Sequence, residues 1–558
     1  MRGVRGVRGF RSERIPGNAE VLTPKKPFGT RAPAPPESTT YRRSHATRSQ
    51  LPLLLALIAL GLLSAALYYG ALVRPYLLTQ YVAEPLLDLG KIGGYDPEAG
   101  WRYTLPLLAL WLMYLVAGAL APRLRGERAL LALAFGGALG CGLILLWLYP
   151  ITAADIFNYA LYGLVQHRGG NPLVVPPDSV IGPPLIGYSA WPQHPSPYGP
   201  LWQGIAWLVT AVTGERLLAG IALFKAFLFA CHLLNIALIA RLAAASGVSR
   251  PGVAALRYAW NPLLLYETAG GGHNEIALLT GLLLALWALT TRRHALTLPL
   301  ATLAALTKLT GALWLAPLAL TWLPRAWRER RWTAPGWAFG GTLLLGVACY
   351  LPFWADGHAL DGVRRQADLY TTSLAGLTLI ANERYGFPFQ PQQLLDLLKG
   401  LALAVVGLTI LGDRPRDESA GEAARAAFDV SLAYLLVGAL WFQPWYLVPL
   451  VGLAPLVGPA RRAIAVCYAL GATGSYVVYF YVWPALGWTS DRLLIQWWAV
   501  IVAHGPAWIA LLAAAPVALW QRAARRGDRW RATGVDDGRA ASTPRAIREA
   551  PIQSHAPE

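Results

Sequence analysis

The sequence predicts an all-α, polytopic integral membrane protein, and three observations predict it. Of the 558 residues, 55% are hydrophobic and only 14% are charged. Apolar runs of roughly 15–23 residues recur along the chain, about the length a helix needs to cross a bilayer. The formal charge of +18 is concentrated in the N-terminal stretch and in short loops beside the apolar runs. That is the distribution the positive-inside rule requires of cytoplasmic segments, so no nucleic-acid partner is expected and the surrounding partner is membrane lipid.

The order of elements follows from charge and length. Residues 1–50, rich in Arg, Gly and Ala-Pro, read as a disordered basic cytoplasmic tail attracted to anionic lipid. The apolar run that follows is longer than the roughly 7–15 residues of a cleaved signal core and is read as a span. From there 51–72 exits, 104–121 returns toward Arg123, Arg125 and Arg128, and 130–149 exits again. A first outer loop covers 150–216. Within it 200–213 has about 14 residues, too few to cross and suited to a re-entrant or interfacial helix. Further crossings are expected at 217–240, 253–269, 276–290, 295–307, 309–323 and 335–353. A second outer loop covers 354–393. The remaining crossings are 395–411, 427–441, 447–457, 463–483 and 494–519, before a basic disordered cytoplasmic tail at 520–558. About fourteen spans result, each strongly basic loop falling inside. Several are short, which suggests broken helices around a water-reachable cavity.

The membrane body, 51–519, carries its polar residues at the outer tips of these runs. After Tyr149-Pro150, a short amphipathic helix is expected over 153–167, with Asp155 and Tyr159 sharing a face at i, i+4. Ile156, Leu161 and Leu164 form an apolar face that suits the membrane surface, and Asn158 lies beside them. The alternative for Asp155 is a plain helix cap. The loop Gly270-Gly271-Gly272-His273-Asn274-Glu275 permits a tight turn and close backbone approach to a ligand, with Glu267 one turn earlier. Two ligand types, His273 and Glu275, are too few for a metal prediction. Lys308 is an outward cation, which opposes the inside bias. It is suited to a phosphate, with snorkelling as the alternative. Lys225 and His232 are intramembrane ionisable residues and so candidates, with pairing to Asn235 as the other reading. Trp441 to Tyr446, including Gln443, reads by default as an interfacial aromatic girdle. Asp356, His358, Arg364 and Arg365 populate the second outer loop. The four cysteines, Cys141, Cys231, Cys349 and Cys467, lie in apolar runs and read as small buried hydrophobes.

The sequence holds no Gly-Lys-Ser/Thr phosphate loop, dinucleotide fingerprint, HExxH or Gly-x-Ser-x-Gly motif. Nucleotide-driven chemistry is not expected, and an enzyme working outside would need a donor already in the membrane.

Five short motifs occur in order over 155–446. They are Asp155-Ile-Phe-Asn-Tyr159-Ala-Leu-Tyr-Gly163 with Gly170-Asn171-Pro172; Pro197-Tyr198-Gly199-Pro200-Leu-Trp202; Trp260-Asn261-Pro262 with Gly272-His273-Asn274-Glu275; Thr307-Lys308-Leu-Thr310-Gly311; and Gln443-Pro444-Trp445-Tyr446. At these residues the chain resembles the C-type glycosyltransferases, in particular the polyprenol-phosphate-mannose-dependent α-mannosyltransferases of actinobacterial lipoglycan assembly. The chain departs from that pattern at Leu173 after Asn171-Pro172, where an aromatic is common, and at Glu275, where aspartate is often seen.

The resemblance implies the C-type fold and an inverting transfer of one sugar, with mannose expected, from a polyprenyl phosphate to a lipid-linked or glycan acceptor. By it Asp155 is the catalytic base, and Lys308 with His273 and Asn274 faces the donor phosphate. Tyr159 and Tyr198 join the donor group; Asn158, Glu275, Gln443 and Tyr446 are acceptor or loop candidates. No cofactor is expected, and a divalent metal is admitted but not required. A transporter or flippase of a lipid-linked saccharide is the alternative. It would place ionisable pairs near mid-membrane and show a repeated half, neither of which is evident. A non-catalytic assembly subunit is the third reading, and it would tolerate loss of Asp155.

Overall fold

The structure, a computed structural model, describes residues 50–486 and 492–532, with side chains as far as 516. The N-terminal tail, apart from Gln50, and residues 533–558 lie outside the described residues. Among the described residues there is no β-strand. Two isolated bridges, Leu77 with Leu148 and Thr371 with Trp441, are the sole extended pairings, so the all-α expectation is borne out.

The chain begins with α1 (Leu51–Leu67), α2 (Pro97–Leu120) and α3 (Glu127–Leu145). The first outer loop then holds α4 (Asp155–His167) and α5 (Pro200–Thr213). There follow α6 (Leu217–Ala245), α7 (Pro251–Ala259), α8 (Glu275–Thr290), α9 (His294–Thr307), α10 (Leu315–Arg328) and α11 (Thr333–Tyr350). The second outer loop contributes α12 (Leu374–Tyr385). The chain continues through α13 (Pro391–Gly412), α14 (Ala420–Ala433), α15 (Pro459–Val477) and α16 (Arg492–Ala532). Residues 520–532, expected as tail, continue the last helix.

Eight of the described helical segments are long and apolar enough to cross a membrane, or nine if one bent pair counts as a span. About fourteen were expected. The difference lies in short runs such as α9, whose 14 residues rise only about 21 Å against a hydrocarbon core of about 30 Å. The expected crossing 309–323 is a 3₁₀ turn, Leu309–Trp314, feeding α10. The expected crossing 447–457 is a string of short turns within Pro444–Leu456.

The bent pair positions the site. Asn261 caps a short helix by accepting from the Leu264 amide at 3.2 Å, with Pro262 at the first helical position. The chain then widens into a π turn over Tyr266–Gly270, and α8 departs at 117° to it. Gly272 makes the reversal, with φ +74°. A Cβ there would also sit 2.4 Å from Ile156, so the glycine lets α4 approach the turn.

Close backbone approach is the theme around α4 and α5. A Cβ on Gly163 would fall 2.5 Å from the Ala206 carbonyl oxygen, which locks α4 onto α5. One on Gly199 would fall 2.1 Å from the Leu306 oxygen, and the Gly199 amide donates to the Thr307 carbonyl at 2.9 Å. Tyr198 is thereby set next to Lys308. Gly311 packs its turn back on Ala304 in the same way, with a virtual Cβ contact of 2.5 Å.

The expected apolar face of α4 is present but does not lie on the membrane. Ile156 and Leu161 are fully buried and Leu164 nearly so, against protein on every side. Periodicity gave the stripe; the loop folding over it decided what covers the stripe.

Candidate active site

Asp155 opens α4, and the cap position before it, Ala154, has no side-chain hydrogen bond. The capping reading of Asp155 therefore has no support in the geometry. Its carboxylate is 21% exposed and faces His273, with Oδ2 at 3.6 Å from Nδ1. The other ring nitrogen, Nε2, is 3.5 Å from Oε2 of Glu267. Both distances are ion-pair contacts rather than hydrogen bonds. The His273 ring lies flat on Trp445, with centroids 4.0 Å apart and planes within 9°. Burial pushes the Asp155 carboxyl up, but His273 and then Lys308 outweigh it and leave it below the usual carboxylate value. Burial pushes the His273 ring down, and Asp155, Glu267 and Glu275 outweigh it and raise it.

Lys308 interrupts the chain between α9 and the following turn in extended conformation (φ −153°, ψ 136°). Its Nζ donates to Oε1 of Glu275 at 2.6 Å and stands 4.2 Å from the centre of the Tyr446 ring and 5.8 Å from that of Tyr198. Burial would lower the ammonium's pKa, and Glu275 followed by Tyr446 raises it instead. Lys308 is thus a charged group anchored on the inner wall, rather than a side chain snorkelling to an interface.

Asp155 and Lys308 line one cavity of about 1100 Å³. Its polar part includes Asn158, Tyr198, His194 and Gln443. One wall is apolar, formed by Leu309 and Leu313 with Leu403, Val406 and Ile410 of α13. Leu403 is 74% exposed. Another wall is aromatic, formed by Tyr476, Tyr479, Phe480 and Trp483.

The remaining predicted residues divide. Tyr446 is on the cavity wall, and so are Trp441 and Trp445. The 441–446 segment is therefore turned inward rather than forming an interfacial girdle. Its neighbour Thr371 clasps it by backbone hydrogen bonds with Leu440 and Phe442 at 3.0 Å. Tyr159 packs behind the wall, edge-on to Tyr198 at 5.0 Å and Trp202 at 4.9 Å. Asn158 accepts from the Ser189 hydroxyl at 2.8 Å. His273 and Asn274 are buried behind Asp155 and do not line the cavity. Glu275 faces Lys308. Asn171 ties the first outer loop to the turn that precedes the second by donating to the Phe353 carbonyl at 2.9 Å.

Lys225 is buried, and its ammonium donates to the carbonyls of Leu148 and Leu146 just past the end of α3. His232 is stacked on Tyr258 at 4.8 Å and is not paired with Asn235. Neither residue lines the cavity. No group of three or more potential metal ligands occurs among the described residues.

Sequence reasoning noted Glu267 only as a neighbour of the glycine turn, without a role, and passed over the aromatic wall at 476–483. A carboxylate inside an apolar run was the available signal for Glu267. The aromatic wall had none, because an apolar run does not tell which face meets a cavity.

Residues 104–324 match the family model described as alpha-(1->6)-mannopyranosyltransferase, N-terminal domain. That segment holds Asp155, Glu267, His273, Glu275 and Lys308. The chain is 30% identical over 341 residues to the alpha-(1->6)-mannopyranosyltransferase A of Mycobacterium tuberculosis, a match covering 57% of this chain and 63% of that protein. Two proteins of Corynebacterium glutamicum match over shorter stretches. Alpha-(1->6)-mannopyranosyltransferase A is 28% identical over 151 residues, 25% of this chain and 30% of that protein. Alpha-(1->6)-mannopyranosyltransferase B is 31% identical over 149 residues, 25% of this chain and 23% of that protein. The chain thus spans less than two thirds of the length of the relatives it matches. The resemblance read from the motifs is borne out.

Proposed function

We propose that the protein transfers a mannosyl residue from a polyprenyl phosphate to a hydroxyl of a lipid-linked or glycan acceptor, on the extracytoplasmic face and with inversion. One observation carries the reading: a carboxylate and a cation, Asp155 and Lys308, face the same cavity, and that cavity runs along an apolar wall that includes Leu403, Val406 and Ile410 of α13. A lipid-borne phosphate ester fits such a wall, and the mannosyltransferase relatives point to the sugar.

Asp155 takes the proton of the acceptor hydroxyl as that oxygen attacks the anomeric carbon. The bond from the anomeric carbon to the phosphate oxygen breaks, and its electron pair leaves with the lipid phosphate. Lys308 stabilises the charge that grows there, sharing its ammonium between Glu275 and the phosphate. A single displacement from the face opposite the leaving group inverts the centre.

Orientation rests on charge. Arg250 pairs with Glu127, Arg325 with Glu418, and a Cβ on Gly421 at the start of α14 would sit 3.3 Å from Ser246 after α6, so the basic loops after α2, α6 and α10 gather on one side of the bundle. By the positive-inside rule that side is cytoplasmic.

The test is incubation of the purified protein with a panel of polyprenyl-phosphate sugars and lipid-linked acceptors. Consumption of the mannosyl donor, with lipid phosphate released in equal amount, is the expected result. Movement of an intact lipid-linked saccharide across a sealed vesicle, with no bond broken, would favour a flippase instead.

A further inference from the structure

We propose that Glu267 is a positioning residue for the transfer reaction, acting through the His273 ring on the carboxylate of Asp155. The inference rests on the reading of Asp155 as the base. Glu267 is fully buried in the π turn, and its Oε1 accepts from the Tyr476 hydroxyl at 2.9 Å. Its Oε2 has no hydrogen-bond partner in the protein and stands 3.5 Å from His273 Nε2. On the far side of the same ring, Nδ1 faces Asp155 at 3.6 Å. Trp445 covers one face of the ring in parallel contact and restrains it on that side.

A neutral imidazole carries one N–H and can serve one carboxylate; the imidazolium serves both. The charged groups around the ring favour the second form. Asp155 faces it from α4, Glu267 from the turn before it and Glu275 from the start of α8, with Lys308 engaged on Glu275. Tyr476 from α15 meets Glu267, and the Trp445 face is uncharged. Without the ring's charge, Glu267 would be a buried carboxylate with only a tyrosine for company and would take up a proton, so the two charges stand or fall together. Glu267 therefore holds His273 as the imidazolium, and the imidazolium holds Asp155 ionised and fixed toward the cavity. Removing the Glu267 charge should loosen that grip while leaving the Lys308–Glu275 contact intact.

The experiment compares pH–rate profiles of the purified wild type with those of Glu267→Gln, Glu267→Asp and Asp155→Asn, using the polyprenyl-phosphate mannose donor. Glu267→Gln keeps the shape and an oxygen for Tyr476 but loses the charge. The alkaline limb of its profile should move to lower pH by about 1–3 units, the usual effect of a charge at this distance. Its kcat at neutral pH should fall about tenfold or more, while the donor KM changes by less than about twofold. Glu267→Asp should lie between Gln and wild type. An unmoved alkaline limb in Glu267→Gln, whatever happens to the rate, overturns the proposal and leaves Glu267 a packing residue. If Glu267→Gln does not fold, the same criterion is applied to Glu267→Asp. The two readings separate cleanly: an active Asp155→Asn sinks the base assignment itself. An inactive Asp155→Asn with an unmoved limb in the Glu267 variants sinks only the role of Glu267.

Discussion

The two ends of α14 handle buried charge in opposite ways. Near its start, Arg425 is 8% exposed and engages Asp413, Glu422 and Asp429 together. Arg461 closes the group with two contacts to Asp429 at 2.6 and 2.7 Å. Every charge there meets an opposite one, and the geometry is that of a brace between α13, α14 and α15. Past the other end, where Tyr434 reaches the cavity, the charges are only partly satisfied. Both nitrogens of His273, Oε2 of Glu267, Oε2 of Glu275 and the whole Asn274 amide lack hydrogen-bond partners in the protein. Buried polar groups are ordinarily paired, so this concentration of unpaired ones calls for an explanation. A brace is strongest when saturated. A site that must exchange a proton and a phosphate has to keep capacity in reserve.

Substitutions at the two ends should separate these roles, and the largest effect on transfer is expected at Asp155. Asp155→Asn keeps the size of the side chain but removes the base, so transfer should fall by about 10²–10⁴-fold with donor binding retained. Turnover and donor binding measured on the same purified variant decide it; near wild-type turnover would move the base elsewhere. Lys308→Ala comes next, with a loss on the order of 10²-fold, and Lys308→Arg should keep part of the rate. Unchanged turnover in Lys308→Ala would mean that Lys308 only neutralises Glu275.

The pH dependence is a milder probe of the same end. Asp155 is shifted below its ordinary value, so the active carboxylate is present above that value and is lost only as the pH falls through the lowered one. His273 is shifted upward, so its charged form persists above the ordinary histidine range and is lost as the pH rises through the raised value. Transfer should therefore hold from about pH 5 to beyond pH 6.5, the unperturbed histidine value. A profile already falling below pH 6.5 on its alkaline side would contradict the ion-paired ring.

The smallest effect on transfer is expected at the brace. Arg425→Ala leaves three carboxylates facing one another and should cost roughly 3 kcal/mol of stability, near the low end for a buried pair because Asp413 stays partly solvated. A thermal melt in detergent would read that loss, while turnover per folded molecule stays at the wild-type level. A large drop in turnover without a drop in stability would erase the distinction between the two ends.

The sequence by itself determined the features that depend on neighbours along the chain. The start of α4 after Tyr149-Pro150 is one. Another is α5, whose limits at Pro200 and Thr213 match expectation because Pro200 presets the first turn and Gly214, at φ +57°, ends the last. Composition and charge determined the helical, membrane-embedded class, and the ordered motifs placed Asp155 and Lys308 among the candidates. Tertiary structure alone decided what those residues face. It turned Trp441–Tyr446 inward, gave Lys225 to the end of α3, and set His273 between Asp155 and Glu267, off the cavity lining. It also reduced the apolar runs, among the described residues, to eight or nine helices of crossing length. Hydrophobic period reports that a face is buried, but it is the same for a face buried in lipid, in protein or beside a cavity. The contact of Glu267 with Tyr476 joins residues 209 positions apart, a separation over which no local pattern in the chain carries information.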